Sequence, residues 1–235
     1  MIDIKTLDPQ KTVVVATGNA HKVVEIEAIL SEVMPGVRFV ALGELGDFPD
    51  PVEDGADFYE NALIKARAAQ EQTGLSMAVA DDSGLCVDAL DGAPGIFSAR
   101  WAGEHGNDAA NNQKLLVELA DVADEDRTAH FHSSVVLVRG QEVLRGDGDV
   151  QGVIGHELRG SNGFGYDPLF WPAETPGRTM AELVPGEKNH LSHRYHALKD
   201  LASRLQRRGG RKAPDGPSPV LKSEPPAGIP QRWHR

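Results

Sequence analysis

Residues 12–16 form a short β-branched and apolar run that Thr17-Gly18-Asn19 interrupts, after which Val23, Ile26, Leu30 and Val33 return at helical spacing. That change of period predicts a strand, a tight loop and a helix. The helix is expected to stop before Pro35-Gly36, and residues 38–42 resume a strand pattern, so a βαβ unit opens the chain. Asp57 followed by Glu60 reads as a capping box ahead of residues 62–72, a run of strong helix formers that Gly74 ends. Residues 77–80 are apolar and lead into Asp81-Asp82-Ser83-Gly84, which predicts a buried strand emptying into a loop with two carboxylates. Asp108 is the expected cap of a third helix with Leu115, Leu116 and Leu119 inside.

Further on, Phe131, Ser133, Val135 and Leu137 alternate with His132, Ser134, Val136 and Val138. A turn at Arg139-Gly140-Gln141 and a return through 142–145 make this a β-hairpin, and the glycine-spaced segment 146–155 reads as another strand or a turn-rich ribbon. Ser192 is placed to cap a last helix with Tyr195, Leu198, Leu201, Ala202 and Leu205 on one face. Arg207 and Arg208 close it, where cations suit the helix dipole. Helices alternate with strands early and hairpins follow, so the expected fold is α/β, a mixed twisted central sheet flanked by helices.

Composition narrows the function. The 235 residues carry 24 Lys+Arg against 35 Asp+Glu, a net charge of −11 that disfavours a general nucleic-acid binder. Hydrophobic residues at 40% are ordinary globular usage, and the length suits one large α/β unit. Apolar runs such as Val13-Val14-Val15-Ala16 fall far short of the roughly 20 residues of a membrane-spanning helix. No secretory signal is readable in Met1-Ile2-Asp3-Ile4-Lys5, so a cytoplasmic protein without membrane contact is expected. Cys86 is the sole cysteine, which excludes an intrachain disulfide and a cysteine-rich zinc site. Residues 204–235 carry a net +6 and leave −17 on residues 1–203, while Gly or Pro fills ten of the 27 positions 209–235. Such a segment cannot repay its ordering entropy. The expected organisation is a domain at 1–208 and a disordered basic tail at 209–235, read as a solvated extension ahead of a contact with RNA or an acidic surface.

Four segments carry candidate chemistry. In Thr17-Gly18-Asn19-Ala20-His21-Lys22 a strand gives way to a helix, so unpaired N–H groups, the dipole and the Lys22 ammonium can face one phosphate. An ordinary strand–helix turn is the alternative, and no Walker A pattern is present. Asp81 and Asp82 on a strand point to opposite faces, so one of them can face a site, there to hold Mg²⁺ or orient a water. Glu53, Asp54 and Glu60 add acid nearby, explicable as loop and cap residues. Gly163-Phe164-Gly165-Tyr166-Asp167-Pro168 sets aromatics among glycines, which suits base stacking on Phe164 as well as an aromatic-plugged turn. Asp167 can accept from a base or sugar, or brace the loop. Lys188, His193 and Arg194 cluster at the expected start of the last helix, where cations oppose the dipole and so suggest an anionic ligand. His130 and His132 share a strand face without an evident third ligand and read as solvent-facing.

Together these segments resemble the family of non-canonical purine NTP pyrophosphatases, the inosine/xanthosine triphosphate pyrophosphatases of the RdgB type. TGNAHK at 17–22, ENALIKA at 60–66, ADDSGL at 80–85, GAPGIFSARWAG at 92–103, GFGYDPLF at 163–170 and EKNHLSHR at 187–194 stand in the family's order. The resemblance implies an elongated two-lobed domain with its active site in the cleft, a homodimer, and Mg²⁺-dependent hydrolysis of ITP, dITP and XTP to the monophosphate and pyrophosphate. It implies that Thr17, Gly18, Asn19, Ala20, His21 and Lys22 bind the triphosphate. Asp82 would be the general base and a magnesium-linked carboxylate, with Ser83 beside the substrate. Phe164, Gly165, Tyr166 and Asp167 would hold base and sugar, Lys188 would contact the substrate, and His193 and Arg194 would read the six-position. Some relatives place a magnesium-binding Glu where Val52 aligns, so adjacent Glu53 is the second metal ligand expected here. Two other readings of the residues are a nucleotide-sensing module without turnover and a pyrophosphatase acting on modified pyrimidine nucleotides.

Overall fold

A computed structural model describes residues 1–17 and 20–209, without the side chains of Ala20 and His21. Gly18, Asn19 and the tail beyond Gly209 lie outside the described residues. The β-branched run forms β1 (Thr12–Val15), buried at every position because both faces of the sheet are covered. Helix α1 (Ala20–Leu30) follows, then β2 (Arg38–Ala41), parallel to β1 as the opening βαβ unit requires. Val33 lies past the helix end, and Leu42 begins a short α2 (Leu42–Leu45) instead of continuing the strand.

Helix α3 (Phe58–Thr73) starts as expected: the Asp57 carboxylate accepts the Glu60 N–H, and Gly74 ends the helix in the left-handed conformation. Its small residues Ala62, Ala66 and Ala69 let it lie close on Val14, Ala78 and Ala80. Strand β3 is longer than residues 77–80. It runs Met77–Val87 straight through Asp81-Asp82-Ser83-Gly84, because β4 (Thr128–Arg139) pairs antiparallel with it from Met77↔Arg139 to Val87↔Ala129. The carboxylates therefore sit within a strand and not in a loop. They do lie past the end of β1, whose last pairing with β3 is Val15↔Val79.

Gly140, with φ +56°, turns β4 into β5 (Glu142–Ile154), one strand where a hairpin arm and a separate ribbon were expected. The glycines of that arm have a packing reason. A Cβ at Gly146 would meet Ala197 and Leu201, and one at Gly148 would meet Ala197 and His193, all on α6 (His193–Gly209). Strand β6 (Phe170–Pro172) completes a mixed sheet of order β2-β1-β3-β4-β5-β6. Helix α4 (Asp108–Glu118) is capped by Asn107, whose side chain accepts the Ala110 N–H; Asp108 is its first residue and serves a loop instead. A further helix, α5 (Pro185–Leu191), precedes α6, so Lys188 stands in the last turn of α5 and not at the start of α6. Ser192 caps α6 as expected, its Oγ accepting the Tyr195 N–H.

Side chains alternate along β3 and sort the core. Met77 and Val79 join Ile26 and Leu30 of α1 and Leu198 and Leu201 of α6 on one face. Ala78 and Ala80 join α3 on the other. Leu85 and Val87 enter a third cluster with Leu115, Leu119, Leu169 and Phe170. Since α1 and α3 leave β1 and β2 on opposite faces, the position where ligands sit in open α/β sheets lies beyond the end of β1, beside Asp81 and Asp82 of β3.

Candidate active site

Asp81 follows Val79 on the α1–α6 face and is buried. Its two carboxylate oxygens each accept Lys22 Nζ at 3.1 Å, and Oδ2 also accepts Arg194 Nε at 3.0 Å. Burial alone would raise its pKa, but the Lys22, Arg194 and Lys65 cations outweigh it and hold the carboxyl well below the usual range. Arg194 is anchored a second time, donating Nη1 to Glu25 Oε2 at 3.0 Å.

Asp82 points to the opposite face, as strand alternation demands. There Lys65 Nζ donates to its Oδ1 at 2.8 Å and lies 3.3 Å from Glu53 Oε2, so one ammonium joins two carboxylates. Asn61, one turn before Lys65 on α3, points at Asp82 Oδ2 at 3.5 Å and fixes Gly55 N–H with its own oxygen at 2.9 Å. Burial raises the Asp82 pKa, Lys65 opposes it, and Glu53 and Asp81 add to the rise. Val52 is exposed, so Glu53 is the residue that turns inward. Thr17, Glu53 and Lys65 line one hollow.

A second cavity, about 190 Å³, is lined by Ser83, Phe164, Asp167, Lys188, His193 and Arg194, among others. Phe164 is 61% exposed, an unusual state for an aromatic ring, and Lys188 Nζ stands 4.4 Å from its centroid. The loop beneath is braced. Asp167 accepts the Phe164 N–H at 2.8 Å and pairs with Lys188, while Asp108 Oδ2 accepts the Gly165 N–H at 2.7 Å. Tyr166 is buried and donates its hydroxyl to Ser98 O at 2.8 Å. Asp167 and Tyr166 thus fill the bracing role, and Phe164 is the free face. His193 stacks on Phe131 with ring centroids 5.1 Å apart, and burial together with the Arg194 cation pushes its pKa well below the usual value.

Among the site residues expected from the sequence, Ser83, Phe164, Gly165, Tyr166, Asp167, Lys188, His193 and Arg194 line this cavity and Thr17 and Glu53 line the other hollow, while Lys22 meets Arg194 at Asp81 and Asp82 meets Glu53 at Lys65. Gly18 and Asn19 are outside the described residues, and for Ala20 and His21 only the α1 backbone is described. Lys65 and Glu25 were not singled out, and Asp81 was named only as the alternative to Asp82. The i, i+4 spacing of Asn61 and Lys65 beside the alanine face of α3 was a usable signal. His130 and His132 are half-buried instead of solvent-facing, and His132 Nδ1 lies 2.7 Å from Asp149 Oδ1. Among the described residues, no three His, Cys, Asp or Glu side chains form a metal-holding group, and no helix is long and apolar enough to cross a membrane.

This geometry coincides with a match to the Ham1 family model over residues 13–204. The chain belongs to the Ham1 family. Relatives include a dITP/XTP pyrophosphatase of Leifsonia xyli, 51% identical over 83% of this chain and 95% of its own length. Another, the dITP/XTP pyrophosphatase of Haemophilus influenzae, is 49% identical over 83% of this chain and all of its own. Among solved structures, a HAM1 protein from Coxiella burnetii is 43% identical, with a TM-score of 0.75 over 83% of this chain and 98% of that one. The Ham1 family therefore accounts for the α/β architecture seen here, its mixed six-stranded sheet included.

Proposed function

We propose that this Ham1-family chain is a nucleoside-triphosphate pyrophosphatase acting on ITP, dITP and XTP, releasing the monophosphate and pyrophosphate and so clearing deaminated purines from the nucleotide pool. The observation that carries this reading is that adjacent carboxylates on β3 tie together two charged clusters, Asp82 with Lys65 and Glu53, and Asp81 with Lys22 and Arg194, the last of which stands in the wall of a cavity that Phe164 and Lys188 also line.

Lys22 and the start of α1 grip the phosphates, and Lys65 neutralises charge beside Asp82. Asp82 takes a proton from the attacking water, whose oxygen bonds to the α-phosphorus while the bond to the bridging oxygen breaks and pyrophosphate leaves. Burial of Asp82 favours this role by making it a stronger base than a solvated aspartate. Phe164 stacks on the base. Arg194 donates to a six-keto oxygen and meets the six-amino group of adenine as donor against donor, which is unfavourable in a dry pocket.

The donor set suits Mg²⁺. Asp82 and Glu53 supply hard carboxylate oxygens, and magnesium is held in nucleotide enzymes by one or two carboxylates together with substrate phosphates, so no cage of three protein ligands is needed. When bound there, the ion would supply neutralisation of the triphosphate charge. A cytoplasmic homodimer without membrane or specific nucleic-acid contact completes the proposal. Phosphorus NMR of a reaction with ITP tests the chemistry: inosine monophosphate and pyrophosphate are expected, and inosine diphosphate with orthophosphate would reject it.

A further inference from the structure

Asp81 is a buried charge to which the reaction above gives no task. It touches two cations to which the proposed function gives different tasks: Lys22 on α1, assigned to the phosphates, and Arg194, which stands on α6 in the wall of the cavity assigned to the base. The sharing is close, because Oδ2 alone accepts from both. Arg194 is also held by Glu25 through Nη1, which leaves Nη2 as the guanidinium nitrogen without a bond among the described residues. A planar guanidinium fixed at two nitrogens presents the third in one direction. How firmly it is fixed depends on how much of the Asp81 charge Lys22 takes.

We propose that Asp81 is a positioning residue that couples the two ends of the site, so that a polyphosphate engaging Lys22 tightens the hold of Asp81 on Arg194 and sharpens discrimination of the purine six-position. The physical basis is competition for one carboxylate. A phosphate that draws the Lys22 ammonium toward itself leaves the Asp81 charge to Arg194. The inference rests on the pyrophosphatase reading and adds to it a residue and a link between subsites. Such a link is a coupling free energy and acts in both directions.

The test uses the full chain and compares kcat and KM for ITP and ATP with the inhibition constant of inorganic tripolyphosphate, a probe without a base. Asp81→Asn keeps the shape and removes the charge. Its ITP-over-ATP preference is expected to fall by about fivefold or more, and its tripolyphosphate inhibition constant to fall as well, because the phosphate no longer competes with a carboxylate for Lys22. Lys22→Met, whose side chain is partly exposed, keeps the test decisive if Asp81→Asn does not fold. Lys22 is not on the base cavity wall, so a pure phosphate-binding role lowers kcat/KM for ITP and ATP alike, whereas coupling raises the preference itself. An unchanged preference in Lys22→Met, or an Asp81→Asn chain in which the preference stays or the inhibition constant does not fall, overturns the coupling. A wild-type chain that hydrolyses ITP and ATP equally overturns the underlying selectivity instead, and that result is visible before any variant is made.

Discussion

Arg194 donates Nε to Asp81 Oδ2 at 3.0 Å across 113 residues of sequence, and this bond joins the last helix to the central strand. The next residue along that strand, Asp82, faces the other way and meets Lys65. Adjacent carboxylates thus serve different elements, a consequence of strand alternation.

The clearest catalytic prediction concerns Asp82. Asp82→Asn removes the base while keeping the side-chain volume, so pyrophosphate release is expected to fall by about 10²–10⁴-fold with ITP binding largely kept. Single-turnover kinetics beside equilibrium binding checks this. A variant that turns over normally would remove Asp82 from the mechanism, and a wild-type chain that binds without turnover would favour a sensing module.

Lys65 opposes the rise that burial, Glu53 and Asp81 impose on Asp82. The acid limb of kcat/KM is therefore expected above the ordinary aspartate value of about 3.9. In Lys65→Met the opposition is gone and the limb moves to higher pH, which a pH–rate profile reads directly. A limb that stays in place contradicts the assigned pairing.

The elements that were legible in the sequence are those fixed by local chemistry. Asp57 and Gly74 bound α3, and the β-branched run at β1 needed no tertiary information. The misreadings were tertiary. Asp81-Asp82-Ser83-Gly84 has turn composition, yet each residue has an opposite number on β4, and pairing overrides propensity. The glycines of β5 looked like turns because the helix that needs their missing side chains lies about fifty residues on, at Ala197 and Leu201. The same holds for the site. Residue types named Lys22 and Arg194, but that both settle on Asp81 depends on which face of β3 each carboxylate occupies.

Gly148 carries a stability prediction. A methyl group there would press on the α6 backbone at His193 and Ala197, so Gly148→Ala is expected to cost about 1–3 kcal/mol in urea unfolding. A neutral result would mean that α6 is free to shift away from β5.

His193 links stability to pH. Its folded pKa lies well below the unfolded value near 6.5, so below that pH the unfolded chain takes up a proton that the folded chain refuses. This group therefore withdraws stability as pH falls from about 6.5, by up to about 1.4 kcal/mol per pH unit. His193→Gln is expected to flatten the decline between pH 6.5 and 5 in denaturant titrations. An identical slope would show that the imidazole is accessible to protons in the folded state.

The central claim is that one cleft grips a polyphosphate and selects a keto-purine. Its most direct test is pyrophosphate release from ITP, XTP, ATP and GTP, each measured with and without EDTA. The account predicts that release from ITP and XTP far exceeds release from ATP and GTP and that EDTA abolishes it; equal rates across the four nucleotides would contradict it.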